Sequence, residues 1–229
     1  MTSTNPRVQT VVNSLLTAVR AQLVEHKVTH AEYHAAVMHH IGMAEAHETP
    51  LLLDVFFEST VERSDTADRP GSEGTVQGPY YVANPPLLER PYVLSMRSNE
   101  PGDACIFRAR VLDVAGKPIR GAELDMWQAG NDGTYSSLVG DAPPYNLRGR
   151  MMTDEDGAIE VRTIVPAPYQ IPNKGPTGHL LNLIGRHSWR PAHFHFFVGA
   201  PGFQRLTTQV YLAGGDWLDS DCVGGVKDS

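Results

Sequence analysis

The 229-residue chain is predicted to be mainly β with an α-helical N-terminal part, with helices filling residues 1–75 and a β-sandwich filling residues 76–229. Three observations lead there. Apolar positions repeat with helical spacing early in the chain, that texture stops at the polar stretch ERSDTADRPGSEG, and beyond Val76 short β-type runs alternate with turn chemistry. A chain of this length can bury one sizeable core, or a core with a helical extension, and nothing in it demands more.

The first helix is expected over residues 5 to about 24, where Val8, Val11, Val12, Leu15, Leu16, Val19 and Leu23 share one face. Asn5 supplies a capping side chain and Pro6 a preset first turn. A second helix is expected to start at Thr29, because Thr29 and Glu32 have capping-box spacing and Val28 and Tyr33 can staple over it, and to run to about residue 46. A third is expected from residue 50 to about 61. The β-type runs are ACIFRARVLDV, AELDMWQA, LRGRMMT, AIEVRTIV, AHFHFFV and LTTQVYL, punctuated by AGKP, NDG, DEDG and APG. The proline-rich VPAPYQIPNKGPTG reads as a long loop, the kind of segment that carries binding residues on a rigid sheet framework.

A formal charge of -7 and the lack of a dense Lys/Arg run exclude the electrostatic footprint of a nucleic-acid or anionic-membrane binder, which leaves a small molecule as the expected partner. Two cysteines, Cys105 and Cys222, are too few for a disulfide framework, and the opening MTSTNPRVQT lacks the charged start and apolar run of a secretory signal, so a cytoplasmic location is expected. No stretch approaches the roughly 18 to 20 apolar residues of a membrane span, so no membrane insertion is expected.

His193 and His195 in RPAHFHFFV stand two apart on a predicted strand, so both imidazoles leave the same face. Same-face histidines can share one metal ion, although an isolated His-x-His is more often a pair of exposed or hydrogen-bonded side chains. Two imidazoles leave a metal site incomplete, and the chain has neither a cysteine cluster nor a zinc-type spacing such as HExxH. Oxygen donors are then the place to look. Tyr135 in GNDGTYSS and Tyr169 in VPAPYQIP fall at strand-to-loop junctions, as the histidine pair does, so the four can converge at one end of the sandwich. Singly, each tyrosine reads as a packing residue. A ferric ion can hold phenolate deprotonated well below the free tyrosine pKa of about 10, and two phenolates, two neutral imidazoles and a hydroxide balance Fe(III).

The segments LDMWQAGNDGTYS, NLRGRMMTDEDG, RTIVPAPYQIPNKGPTGHLL, GRHSWRPAHFHFFVGAPGF and LTTQVYLAGGDWLDSDC resemble, in order, those of the intradiol ring-cleaving dioxygenases, in the branch that acts on catechol, chlorocatechol and hydroxyquinol. The resemblance runs from about Leu51 to the C-terminus, and the helical start is similar in character to that branch's linker and dimerisation helices. It implies a non-haem Fe(III) enzyme that inserts both atoms of O2 into an aromatic diol or triol, giving a cis,cis-muconate or maleylacetate-type product. It further implies metal ligation by Tyr135, Tyr169, His193 and His195, with Tyr169 leaving to take a substrate proton, and catalytic roles for Arg190, Tyr169 and Gln209. Leu51, Asp54, Val55, Val76, Gly78, Pro79, Tyr80, Cys222 and Val223 would line the substrate pocket. Asp54 favours chlorocatechol or hydroxyquinol over plain catechol and could accept a hydrogen bond from an extra ring hydroxyl; WQAGNDGTY, GRHSWRPAH and WLDSDCVGGV look most like the hydroxyquinol branch, NLRGRMMT and LTTQ closer to the catechol and chlorocatechol branches, and on balance hydroxyquinol is the expected substrate. A homodimer through the N-terminal helices and a bound phospholipid among them are further implications.

Three alternatives stand beside this. The run VLDVAGKPIRGAELDMWQA also fits a non-enzymatic, transthyretin-like β-sandwich binding module. The histidine pair could join a carboxylate around Fe(II) or Zn(II). His26, His30 and His34, spaced by four, could form another metal site, but a polar helix face explains them better.

Overall fold

In the computed structural model residues 4–136 and 142–227 are described, so the outermost residues of the expected 1–75 and 76–229 regions lie outside it. The chain divides into two compact units, Met1–Thr49 and Pro50–Ser229.

The first unit holds α1 (Pro6–Glu25) and α2 (His30–Glu45). Asn5 accepts the Val8 N–H at 3.2 Å and Pro6 opens the first turn, which satisfies one of the orphan donors of the helix start. The capping box at Thr29 forms in both directions: Glu32 N–H donates to Thr29 Oγ1 at 3.3 Å, and Thr29 N–H donates to Glu32 Oε2 at 2.8 Å. The apolar stripe of α1 is present and exposed, with no residue of α1 buried and Leu15 still 61% exposed.

The second unit opens with one helical run: α3 (Thr49–Leu53), a π-helical turn (Asp54–Glu58) and α4 (Ser59–Thr66). The run outlasts its expected end near residue 61 because Glu62 and Arg63 are good helix formers and no breaker arrives before Pro70 and Gly71. Nine strands follow among the described residues: β1 (Tyr92–Val93), β2 (Ala104–Arg110), β3 (Glu123–Gln128), β4 (Arg148–Met152), β5 (Ala158–Ile164), β6 (Tyr169–Gln170), β7 (Trp189–Arg190), β8 (His193–Gly199) and β9 (Leu206–Tyr211). They form sheets of order β1-β5-β2, β4-β3-β8-β9 and β6-β7. The six β-type runs read from the sequence are β2, β3, β4, β5, β8 and β9. The expected loop VPAPYQIPNKGPTG instead contains β6 and the start of α5 (Pro176–Leu183), which has Pro176 in its first turn.

The two larger sheets pack face to face, and their period-2 alternation decides where the functional side chains go. Leu124 and Met126 of β3, Met151 of β4, and Phe194 and Phe196 of β8 meet Tyr92, Ile159, Val161 and Phe107 of the facing sheet in one core cluster. Burying a side chain such as Phe stabilises the fold by about 1.5 to 3 kcal/mol. Because Phe194 and Phe196 must face that core, His193 and His195 are forced onto the opposite face, where a second cluster gathers Trp127, Phe197, Tyr80, Tyr135 and Tyr169. Among the described residues, no helix is long and apolar enough to cross a membrane.

Candidate active site

The histidine pair is buried, each ring 1% exposed, with the two Nε2 atoms 2.9 Å apart. His193 Nδ1 lies 2.7 Å from the Pro191 carbonyl; that carbonyl can only accept, so Nδ1 carries the proton and Nε2 keeps its lone pair. His195 is oriented differently. Its ring stacks on Trp127 with centroids 4.7 Å apart and planes 8° apart, an arrangement set by the β3/β8 register that places Trp127 opposite His195. His195 Nδ1 has no hydrogen-bond partner among the described residues. Burial, then the positive charge of Arg190, pushes His193 well below the ordinary histidine range; burial, then His193, does the same to His195. Both rings are therefore neutral donors.

Tyr135 reaches the pair through a turn written in NDGT. Asp132 Oδ1 accepts the Thr134 N–H at 3.0 Å and the Thr134 hydroxyl at 2.7 Å, and Gly133 takes φ +77°. Gly133 packs so tightly on the next tyrosine that a Cβ there would stand 2.8 Å from Tyr169 Cβ. Tyr169 arrives on β6, whose pairing with β7 sets it directly opposite Arg190. The ring centroids lie 5.3 Å apart for Tyr135 and Tyr169, 5.7 Å for Tyr169 and His193, and 6.1 Å for Tyr135 and His195. All four predicted ligands thus share one buried locus. Burial raises both phenol pKa values, for Tyr135 well above its ordinary value. Among the described residues the Tyr135 hydroxyl has no hydrogen bond of ordinary geometry, although Tyr169 lies close enough to interact with it.

Arg190, 2% exposed, donates through Nη1 to the Tyr169 oxygen at 3.3 Å, with His193 Nε2 at the same distance. Its Nη2 donates to Gln209 Oε1 at 2.8 Å, and Gln209 Nε2 in turn donates to the Val76 carbonyl at 2.6 Å. Burial opposes the charge of Arg190, but Tyr169 and Asp221 outweigh it and hold the guanidinium protonated.

Of the expected pocket residues, Val55, Val76, Tyr80, Cys222 and Val223 are buried in the same cluster as Tyr135 and Tyr169, with Leu51 packed against it. Tyr80 stacks on Tyr135 at 4.6 Å. Gly78, at φ +69°, lies beside His195, where a Cβ would stand 3.9 Å from Cε1. Pro79 is exposed, and Asp54 is half-buried, its carboxyl raised by burial; neither belongs to the cluster. Cys222 is pushed up to about 12 by burial and then by the neighbouring Asp221, so it packs as a thiol.

Three neighbours carry no signal that sequence reasoning used. Trp127 could have been found from its period-2 position on a strand, whereas Tyr211 and Asp221, which join Arg190 from β9 and the C-terminal turn, belong to no local pattern.

The donor set fits a ferric ion. Among the described residues no three His, Cys, Asp or Glu side chains are placed to hold a metal, and the two tyrosine oxygens are the hard donors that stand beside the two imidazoles. The two Nε2 atoms face each other at 2.9 Å, close enough for one cation to be held by both. The Tyr135 oxygen without an ordinary hydrogen bond is the buried polar atom that a cation would satisfy.

Comparison with known proteins places the chain in a family. Residues 76–229 match the family described as Dioxygenase, and residues 5–73 match that described as Catechol dioxygenase N terminus. The chlorocatechol 1,2-dioxygenase of Cupriavidus pinatubonensis is 42% identical over 225 residues, covering 98% of this chain and 88% of the relative. The crystal structure of 3-chlorocatechol 1,2-dioxygenase from Rhodococcus opacus superposes with a TM-score of 0.91 at 43% identity, covering 96% of this chain and 88% of that one. Hydroxyquinol 1,2-dioxygenase from Pseudomonas putida gives a TM-score of 0.93 at 34% identity, covering 99% and 81%. The chain belongs to the intradiol ring-cleaving dioxygenases. It is an enzyme of the catechol and chlorocatechol 1,2-dioxygenase kind, which removes the binding-module alternative.

Proposed function

We propose that the protein is a non-haem Fe(III) dioxygenase that opens chlorocatechols, and catechol itself, between the two hydroxyl-bearing carbons to give a cis,cis-muconate-type diacid. The observation that carries the metal assignment is the convergence of Tyr135, Tyr169, His193 and His195 at one buried locus, with the two Nε2 atoms 2.9 Å apart. Iron would supply a Lewis-acidic centre that draws both oxygens of a catechol and accepts phenolate neighbours.

The chain's own residues divide the remaining work. Tyr135, His193 and His195 are lasting donors. Tyr169 is the tyrosine in contact with Arg190; held as phenolate by iron, its oxygen would be placed to take a proton from a substrate hydroxyl and become a phenol, while Arg190 Nη1 steadies negative charge beside it. Gln209, tied to Arg190 and to the Val76 carbonyl, holds the floor of the site. Leu51, Val55, Val76 and Val223 give the surround an apolar majority that suits a chlorine, with the Tyr80 hydroxyl as its polar exception. The 42–43% identity to chlorocatechol enzymes, against 34% to the hydroxyquinol enzyme, supports the same choice.

Oxygen uptake with product chromatography tests this on 3- and 4-chlorocatechol, catechol, hydroxyquinol and pyrogallol. Chlorocatechols should give the highest kcat/KM and a 1,2-cleaved diacid. Hydroxyquinol as the best substrate would instead support the polar role of Asp54 and overturn the chlorocatechol choice.

For the helical region, residues 1–75, we propose a cytoplasmic homodimer joined through the exposed stripes of α1 and α2, with phospholipid bound there. The exposed Leu15, Leu16 and Val19 support the first point. A shallow apolar patch along α2, lined by Tyr33, Val37 and Ile41, supports the second. Native mass spectrometry should give a dimer mass carrying lipid; a bare monomer would remove both.

A further inference from the structure

Arg190 is gripped from behind by a carboxylate that no local motif announces. The C-terminal turn that follows the 3-10 turn Leu218–Ser220 delivers Asp221, whose side chain is 1% exposed, against the guanidinium. Arg190 Nε donates to Asp221 Oδ1 and Nη2 donates to Oδ2, each at 3.1 Å. The carboxylate is fixed in its own right, because it also accepts the N–H groups of Gly225 at 2.9 Å and Val223 at 3.3 Å. Tyr211 adds its hydroxyl to Nη2 at 3.1 Å.

A guanidinium is a planar fork with five N–H groups, so holding one edge fixes where the other points. Here Nε and Nη2 are occupied by Asp221, Gln209 and Tyr211, which leaves Nη1 as the arm that meets Tyr169 and His193, both at 3.3 Å. The cage is closed tightly enough to exclude any side chain at Gly225, where a Cβ would stand 2.7 Å from Arg190 Nη2, 2.8 Å from the Tyr211 oxygen and 3.1 Å from Asp221 Oδ2. Thr75 holds that glycine in place by donating its hydroxyl to the Gly225 carbonyl at 2.6 Å.

We infer that Asp221 is the positioning residue of the active site: by clamping Nε and Nη2 it sets the plane of Arg190, so that Nη1 is presented to the oxygens of the bound diol. This rests on the role of Arg190 in the proposed ring cleavage. An asparagine at position 221 would keep one acceptor and turn an amide donor toward the fork, so it cannot hold both nitrogens, and it leaves the cation without a partner charge.

The wild-type enzyme is assayed first, because failure to bind iron or cleave a catechol would overturn the proposed function itself. Given an active wild type, Asp221→Asn should lose about a hundredfold in kcat, about 2.7 kcal/mol at 1.36 kcal/mol per tenfold, with iron content unchanged. KM should move less than about fivefold, since the lost interaction acts on the developing charge. A buried charge stripped of its partner can prevent folding, so a second comparison carries the test, between Arg190→Ala, whose unpaired Asp221 carboxylate an added guanidinium ion can fill, and a double variant that lacks both charges. Added guanidinium ion at millimolar concentration should restore Arg190→Ala by about tenfold or more, while Arg190→Ala/Asp221→Asn, which lacks both charges, should gain nothing. In the metal-free protein, chemical denaturation of the two single variants and the double should be non-additive, because the clamp exists without iron. Asp221→Asn with kcat within about threefold of an active wild type, or equal rescue by guanidinium in both backgrounds, would overturn the inference.

Discussion

Tyr169→Phe is expected to lower kcat for ring cleavage by about a thousandfold or more while leaving the fold intact. The substitution removes one oxygen and nothing else. The Tyr169 hydroxyl meets Arg190 at 3.3 Å and lies near Tyr135, whereas its ring, 6% exposed, packs in an apolar cluster that phenylalanine fills equally well. Positioned proton transfer is worth about 10² to 10⁴ in rate, and Tyr169 is also a candidate anionic donor to the metal, so the larger end applies. Three measurements separate its jobs. Oxygen uptake reads the rate, the visible phenolate-to-iron absorption reads the loss of one donor, and thermal melting should move by only a few degrees. A Tyr169→Phe enzyme that keeps more than about a tenth of wild-type kcat would take this residue out of the proton's path, because no positioned acid or base is worth so little.

The half of the site that sits on long strands is legible in the sequence itself. His193 and His195 alternate with Phe194 and Phe196, and once the phenylalanines are assigned to the core the histidines have only one face left. The helix starts at Asn5 and Thr29 are legible for a similar reason, since capping chemistry is written within three or four residues. Tyr169 and Arg190 are harder to place. They are brought together by β6 and β7, two residues each, and a strand that short has no period to read. Resemblance to a family names both residues, but only the pairing explains why they touch. Asp221 is silent altogether, because its partner lies thirty-one residues away and its buried state depends on a turn closed by Gly225. The expectation for Asp54 rests on chemistry alone. It lies half-buried on the π-helical turn beside Val55, which enters the apolar cluster, so the two neighbours share one short turn that has no period to read.

Replacing His195 with alanine should abolish iron retention and ring cleavage together, and a control in the helical region shows why the effect is local. His195 has two attachments. Its Nε2 faces that of His193 at 2.9 Å, and its ring lies flat on Trp127 at 4.7 Å. Alanine removes the donor and leaves an indole face bare in a buried cluster, so stability should also fall by about 2 to 4 kcal/mol, the cost of a large-to-small change at a packed site. Even groups that only support a metal ligand are worth about 10- to 100-fold in affinity, so losing a ligand should weaken iron by more than that. The exposed histidines at positions 26, 30 and 34 are the rival donors, and changing all three to glutamine should leave the iron content and the visible band unaltered. Metal analysis of the two proteins after identical dialysis decides between the sites. If iron persists in His195→Ala and disappears from the triple variant, the metal belongs to the helices, and the convergence of two tyrosines and two histidines on the sheet face serves packing alone.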